Sequence, residues 1–230
     1  MRRTLSLLLC LTSSAAFAHD LWFAPEGNDY LLLQGHRHSG HAGADRIDYD
    51  GRKVTGSLCL DGAGKPRPAT PSPSAPVRFA GPCAVLQADY VSGYWTKTAW
   101  ETKNVPKTGI AGVLRSWHSA ESVKRIGQWI PAAGKPLGRG LEITPLRDPL
   151  PLQPGDKLVV LVSDDGKPVT GVPVAYGDDT RGVSDGDGKI AIRLRHGGTQ
   201  LITTTLEMPL NDGKADRSLR SATLQFEIAP

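Results

Sequence analysis

Histidine is concentrated near the amino terminus of this chain. The run Gly35-His36-Arg37-His38-Ser39-Gly40-His41 holds three of the six histidines, and a fourth, His19, stands upstream of it. Imidazole nitrogen is a good ligand for Ni(II), Co(II), Cu(II) or Zn(II), and affinity order alone favours copper among them. In an extended segment His36 and His38 project to one face, with Cα atoms roughly 6.5 to 7 Å apart, so both rings can converge on one ion. His41 joins them if the Ser39-Gly40 turn brings it back. The expected metal ligands are therefore His19, His36, His38 and His41, with Asp20 or Asp45 as an oxygen ligand or a partner that orients an imidazole. Binding by such nitrogens fades as pH falls through the imidazole range of about 6 to 7, because protons compete for them.

What His19 can do depends on what precedes it. Met1-Arg2-Arg3 is a positive start, Leu5 to Leu11 is mostly apolar, and Ala16-Phe17-Ala18 is the small-x-small pattern that signal peptidase cuts after. Residues 1–18 thus read as a secretory signal peptide, and the apolar run is well short of the about 20 residues a membrane-crossing helix needs. Cleavage after Ala18 gives His19 a free α-amine beside its imidazole, two nitrogens that chelate one ion in a single ring. The expected location is the periplasm, as a soluble exported protein. Cys10 leaves with the signal, and Cys59 and Cys83 remain as an even pair in an oxidising compartment. One structural disulfide is the expectation, with a contribution on the order of 3 kcal/mol from closing the loop between them. Loss of Arg2 and Arg3 lowers the formal charge from +4 to +2. That balance, with basic residues scattered, gives no nucleic-acid footprint.

The elements that must hold the histidines read mainly as β. Asp20 to Leu33 is apolar and aromatic around the turn Pro25-Glu26-Gly27-Asn28-Asp29, a hairpin whose second strand, Tyr30 to Gln34, ends where the histidines begin. Val54 to Leu60 is a further strand. The proline-rich stretch from Lys65 to Pro76 cannot supply the donors of a central strand, so it is a loop. Strands follow around Cys83 to Tyr90 and Tyr94 to Trp100. Between Ser116 and Ile130, Trp117, Ala120, Val123, Ile126 and Ile130 recur at three- and four-residue steps, which predicts the one helix of the chain. Beyond Gly138 come five short apolar runs separated by Asp165-Gly166, Asp185-Gly186-Asp187-Gly188 and Gly197-Gly198, a spacing that indicates an antiparallel sandwich. The expected organisation is residues 19–140 as an amino-terminal sandwich-like domain with a single inserted helix, and residues 141–230 as an immunoglobulin-like or transthyretin-like sandwich.

Other residues carry weaker chemistry. His118 is a reserve ligand and His196 adjoins a glycine turn. The aspartates of residues 185–188 lack the alternation and terminal glutamate of a calcium loop, and a β-turn accounts for them. Tyr94, Trp95 and Trp100 could line a ligand groove, but aromatic strand residues are usually core or cross-strand pairs. Ser39 and Ser119 lie near histidines without the glycine-flanked elbow of a hydrolase nucleophile. No enzymatic activity is therefore expected; an amino-terminal histidine with a second imidazole could also form an oxygen-activating copper site.

Taken together, His19-Asp20-Leu21-Trp22, Gly35-His36, Tyr94-Trp95-Thr96-Lys97-Thr98, Leu141-Glu142-Ile143-Thr144-Pro145 with Asp148-Pro149, and Asp165 to Val174 followed by Ser184 to Gly188 resemble one family. It is an exported domain family of unknown function associated with periplasmic components of nickel and cobalt uptake systems. The resemblance implies an immunoglobulin-like or transthyretin-like carboxy-terminal half. It also supplies the preference for Ni(II) or Co(II) over Cu(II) or Zn(II), which the ligand set does not. The implied function is to buffer the metal or deliver it to an inner-membrane transporter. Two other readings remain: a metal-independent scaffold or adhesion module, and a carrier of a small ligand or metal chelate.

Overall fold

A computed structural model describes residues 20–37, 46–69, 71–177 and 179–230. In chain order the strands are β1 (Asp20–Glu26), β2 (Asp29–Gly35), β3 (Val54–Leu60), β4 (Pro66–Arg67), β5 (Arg78–Phe79), β6 (Val85–Lys97), β7 (Thr102–Lys103) and β8 (Arg115–Ile126). They continue as β9 (Leu141–Pro145), β10 (Lys157–Asp164), β11 (Lys167–Pro168), β12 (Pro173–Tyr176), β13 (Asp179–Val183), β14 (Lys189–Arg193), β15 (Gly198–Pro209) and β16 (Arg217–Ile228). The protein is mainly β, and among the described residues the only helical pieces are 3-10 turns at Gly51–Lys53 and Pro131–Gly134.

Three sheets stack in layers. The middle one has nine strands in the order β13-β12-β15-β16-β8-β6-β3-β4, with β7 beside β6. On one face lies the small sheet β1-β2-β5, and on the other the sheet of β11, β10 and β14 with β9. Leu21, Phe23, Leu32 and Phe79 pack against Leu86 and Val123 between the small sheet and the middle one. Val85, Ile126 and Leu224 of the middle sheet meet Ile143, Val160 and Ile192 on its opposite face. Each such fully buried side chain contributes about 1.5 to 3 kcal/mol. The middle sheet takes strands from both sides of residue 140, joined by the parallel pairing of β8 with β16 from Arg217 opposite Trp117 to Phe226 opposite Ile126.

The expected helix over residues 116–130 is instead β8. Apolar residues three apart fall on opposite faces of a strand. Val123 accordingly faces the small sheet, while Ile126 faces β9 and β10. A strand covered on both faces has no solvent side to keep polar, so the period-two signature is lost and a three-residue spacing mimics a helix. The two strands expected around residues 83–100 are one strand, β6. Its register against β8 slips between Val91 and Gly93, and Gly93 takes φ +91°, a left-handed conformation open to glycine.

The amino-terminal hairpin, the strand at residues 54–60 and the five expected carboxy-terminal strands, seen as β10, β12, β14, β15 and β16, lie where the sequence puts them, while β9, β11 and β13 are additional. Cys59 and Cys83 form a disulfide that closes the proline-rich loop, with Cα atoms 5.4 Å apart. The aspartate-rich turn is built by Asp185, whose Oδ1 accepts from the backbone N–H groups of Asp187 and Lys189 at 2.9 and 2.8 Å. No helix among the described residues is long and apolar enough to cross a membrane.

Candidate functional site

The hairpin β1–β2 is fixed to the middle sheet by Gln225, whose side-chain amide copies a strand. It accepts from Phe23 N–H at 2.8 Å and donates to the Phe23 carbonyl at 2.8 Å. At the open end of the hairpin Asp20 is paired with Gly35, and Leu21 with Gln34. The residue that follows His19 in the chain is therefore opposite the residue that precedes His36. The Ile47 N–H donates to the Gln34 carbonyl at 2.8 Å, so the chain leaves this point after Gln34 and returns to it at Ile47.

Beneath that end lies Glu121 of β8. Gln34 Nε2 donates to both of its carboxylate oxygens, at 3.2 and 3.0 Å. Burial raises its pKa; the Gln34 amide opposes that, the Asp20 carboxylate adds to it, and the result is about 7. The neighbouring Tyr90 phenol is pushed up to about 12, first by burial and then by the charges of Glu121 and Asp50.

From Glu121 a cleft of about 540 Å³ runs along one face of β6 and β8, within the usual range for small-molecule sites. Alternation puts Arg115, Trp117, Ser119 and Glu121 in a row on that face. Their partners on β6 are Lys97, Trp95, Gly93 and Tyr90. The row thus passes from two cations, through two indoles and a gap of small residues, to a carboxyl beside a phenol. Trp95 and Trp117 lie nearly parallel, 10° apart with ring centroids at 6.3 Å, and Trp95 Nε1 donates to Ser92 Oγ at 2.9 Å. Arg115 sits over Trp117 at 5.4 Å and reaches Glu207 at 3.0 Å. Lys53 and Asn104 hold the bulge rigid: Lys53 Nζ donates to the Ser92 carbonyl and to Asn104 Oδ1, and Asn104 Nδ2 donates to the Ser92 and Tyr94 carbonyls.

Of the expected metal ligands, His36 is described, half-buried just past β2. His19, His38 and His41, with Asp45, lie outside the described residues. Among the described residues no three of His, Cys, Asp and Glu are grouped closely enough to hold a metal ion. The reserve histidines are elsewhere. His118 is on the opposite face of β8, edge-on to Tyr94 at 4.8 Å, and burial lowers its pKa. His196 stacks on Tyr176 at 5.6 Å. The aromatic residues divide: Trp95 and Tyr94 are cross-strand partners of Trp117 and His118, whereas Trp100 is 93% exposed rather than core. Glu121 fell inside the expected helix and Arg115 just ahead of it; taking Arg115-x-Trp117-x-Ser119-x-Glu121 at strand period would have put them on one face.

These features define a mainly β protein with a ligand-sized cleft, closed at one end by a deeply set carboxyl. The chain belongs to the family described as a domain of unknown function, DUF4198, whose model matches residues 16–207. Nothing among curated proteins or solved structures matches it.

Proposed function

We propose that this is an exported, periplasmic protein that binds Ni(II) or Co(II) through His19, His36 and His38, with His41 as a further ligand, and buffers the ion or passes it to an inner-membrane transporter. The observation that carries this is the pairing of Asp20 with Gly35, because it brings the chain positions flanking His19 and His36 to one end of one hairpin. Closure of the intervening chain by the Ile47 to Gln34 hydrogen bond supports it. So does the Asp20 carboxylate, close enough to Glu121 to act on its charge, which offers an oxygen donor at that end. Nitrogen donors with a carboxylate nearby suit a borderline divalent ion. In the same proposal residues 141–230 are an immunoglobulin-like or transthyretin-like module, in keeping with two sheets that face each other across Val160, Ile192 and Leu224.

Calorimetric titration of the chain processed after Ala18 with Ni(II), Co(II), Cu(II) and Zn(II) tests it. Wild type should bind Ni(II) or Co(II) at one site, and His36→Ala/His38→Ala should lose at least tenfold in affinity. Equal and negligible binding by both proteins would remove the metal reading.

A further inference from the structure

The cleft along β6 and β8 has a polarity that a metal site does not use. Its two ends carry opposite charge and its middle is aromatic. At one end Lys97 and Arg115 stand opposite each other across the two strands, and Glu121 closes the other. Between them Trp95 and Trp117 form the wall, and Gly93 and Ser119, the smallest pair of the row, leave the floor open. A Cβ at Gly93 would meet Asn104 Nδ2 at 3.9 Å and no other atom within 4 Å.

We propose that this cleft binds a short peptide, of two or three residues, with a free amino terminus at Glu121, a free carboxylate at Lys97 and Arg115, and an apolar or aromatic side chain against Trp95 and Trp117. Three features select this class. An ionised carboxylate has about four acceptor positions. Gln34 approaches its two oxygens through one nitrogen, which leaves positions for an ammonium. Asp48, Asp50 and Glu121 line the cleft together with Lys53, Lys97 and Arg115, and a zwitterion with separated ends is complementary to both signs of charge. Arg115 and Glu121 are six residues apart on β8, about 20 Å between Cα atoms. Both side chains line the cleft, and the Arg115 guanidinium lies against Trp117, the next residue of the row toward Glu121, which shortens that span. A single amino acid holds its two charges on one carbon and cannot bridge it, while two or three extended residues reach about 7 to 11 Å. The apolar side chain then lies beside the indoles, where an aromatic contact adds to affinity.

Calorimetry in EDTA, with the full chain and the tripeptide alanyl-phenylalanyl-alanine as probe, tests this apart from any metal. The peptide with free ends should bind. Acetylation of its amino terminus and amidation of its carboxy terminus should each weaken binding at least tenfold. Glu121→Gln should weaken the free peptide to the level of the acetylated one and leave the acetylated one unchanged. Absence of binding by the free peptide at millimolar concentration, or equal affinity for free and blocked peptides, would overturn the assignment. The blocked peptides decide on wild-type protein alone, so a variant that does not fold leaves the test intact.

Discussion

Replacing Glu121 with glutamine should change how stability depends on pH. The carboxyl rises from an ordinary value of 4.5 to about 7 in the folded protein. A group whose pKa is raised on folding contributes stability that is complete below the unfolded value and is lost as pH rises through the folded value. Wild type should therefore lose stability between about pH 4.5 and 7, and at 1.36 kcal/mol per unit the loss attributable to Glu121 is at most on the order of 3 kcal/mol. Glutamine keeps the shape and an acceptor for Gln34 but cannot ionise. At pH 4 the two proteins should agree within about 1 kcal/mol, the scale of one hydrogen bond. At pH 8 Glu121→Gln should be the more stable by up to about 3 kcal/mol. Urea unfolding of both proteins from pH 4 to 8 measures the difference, which cancels the titration of groups that do not interact with Glu121 and retains its coupling to Asp20. A difference that does not vary with pH would refute the burial and Asp20 repulsion assigned to this carboxyl.

Two further perturbations follow from the core and the crosslink. Lys124 and Glu142 form an ion pair at 2.6 Å with both side chains 2% exposed, so Lys124→Met strands a buried carboxylate and should cost about 3 to 5 kcal/mol, while Lys124→Met with Glu142→Leu should recover most of it; chemical denaturation reads both, and a double variant no better than the single would contradict the pairing. Cys59→Ala/Cys83→Ala should lower stability by about 3 kcal/mol, seen as a lower urea midpoint, and an unchanged midpoint would show that the Cys59–Cys83 bond does not constrain the unfolded chain.

How much of this was legible in the sequence depended on whether a strand had a wet side. Residues 20–34 and 54–60 and the strands beyond residue 150 are bounded by turn chemistry, Gly27-Asn28 and Asp165-Gly166 among them, and were readable as strands. The disulfide was readable from cysteine number and the expected compartment. Residues 116–126 were misread because β8 is sandwiched between two layers, with Val123 on one side and Ile126 on the other, and with that went the row that builds the cleft. The slip at Gly93 gave one long strand the appearance of two. Strand period could have placed Glu121 in that row, but its raised pKa comes from burial and from Asp20, which is 101 positions away in the chain. The three-layer stacking depends on contacts as distant as Phe23 with Gln225, and no local pattern announces those.

The metal reading turns on whether His19 acts through its own amine as well as its ring. Ni(II) titration of a chain that begins at His19, beside one that carries a single extra glycine ahead of it, tests that directly by affinity and by ligand-field absorption. The extended chain should bind at least tenfold more weakly and with a shifted spectrum. Identical affinity and an identical spectrum would contradict a site built from the amino terminus and His36.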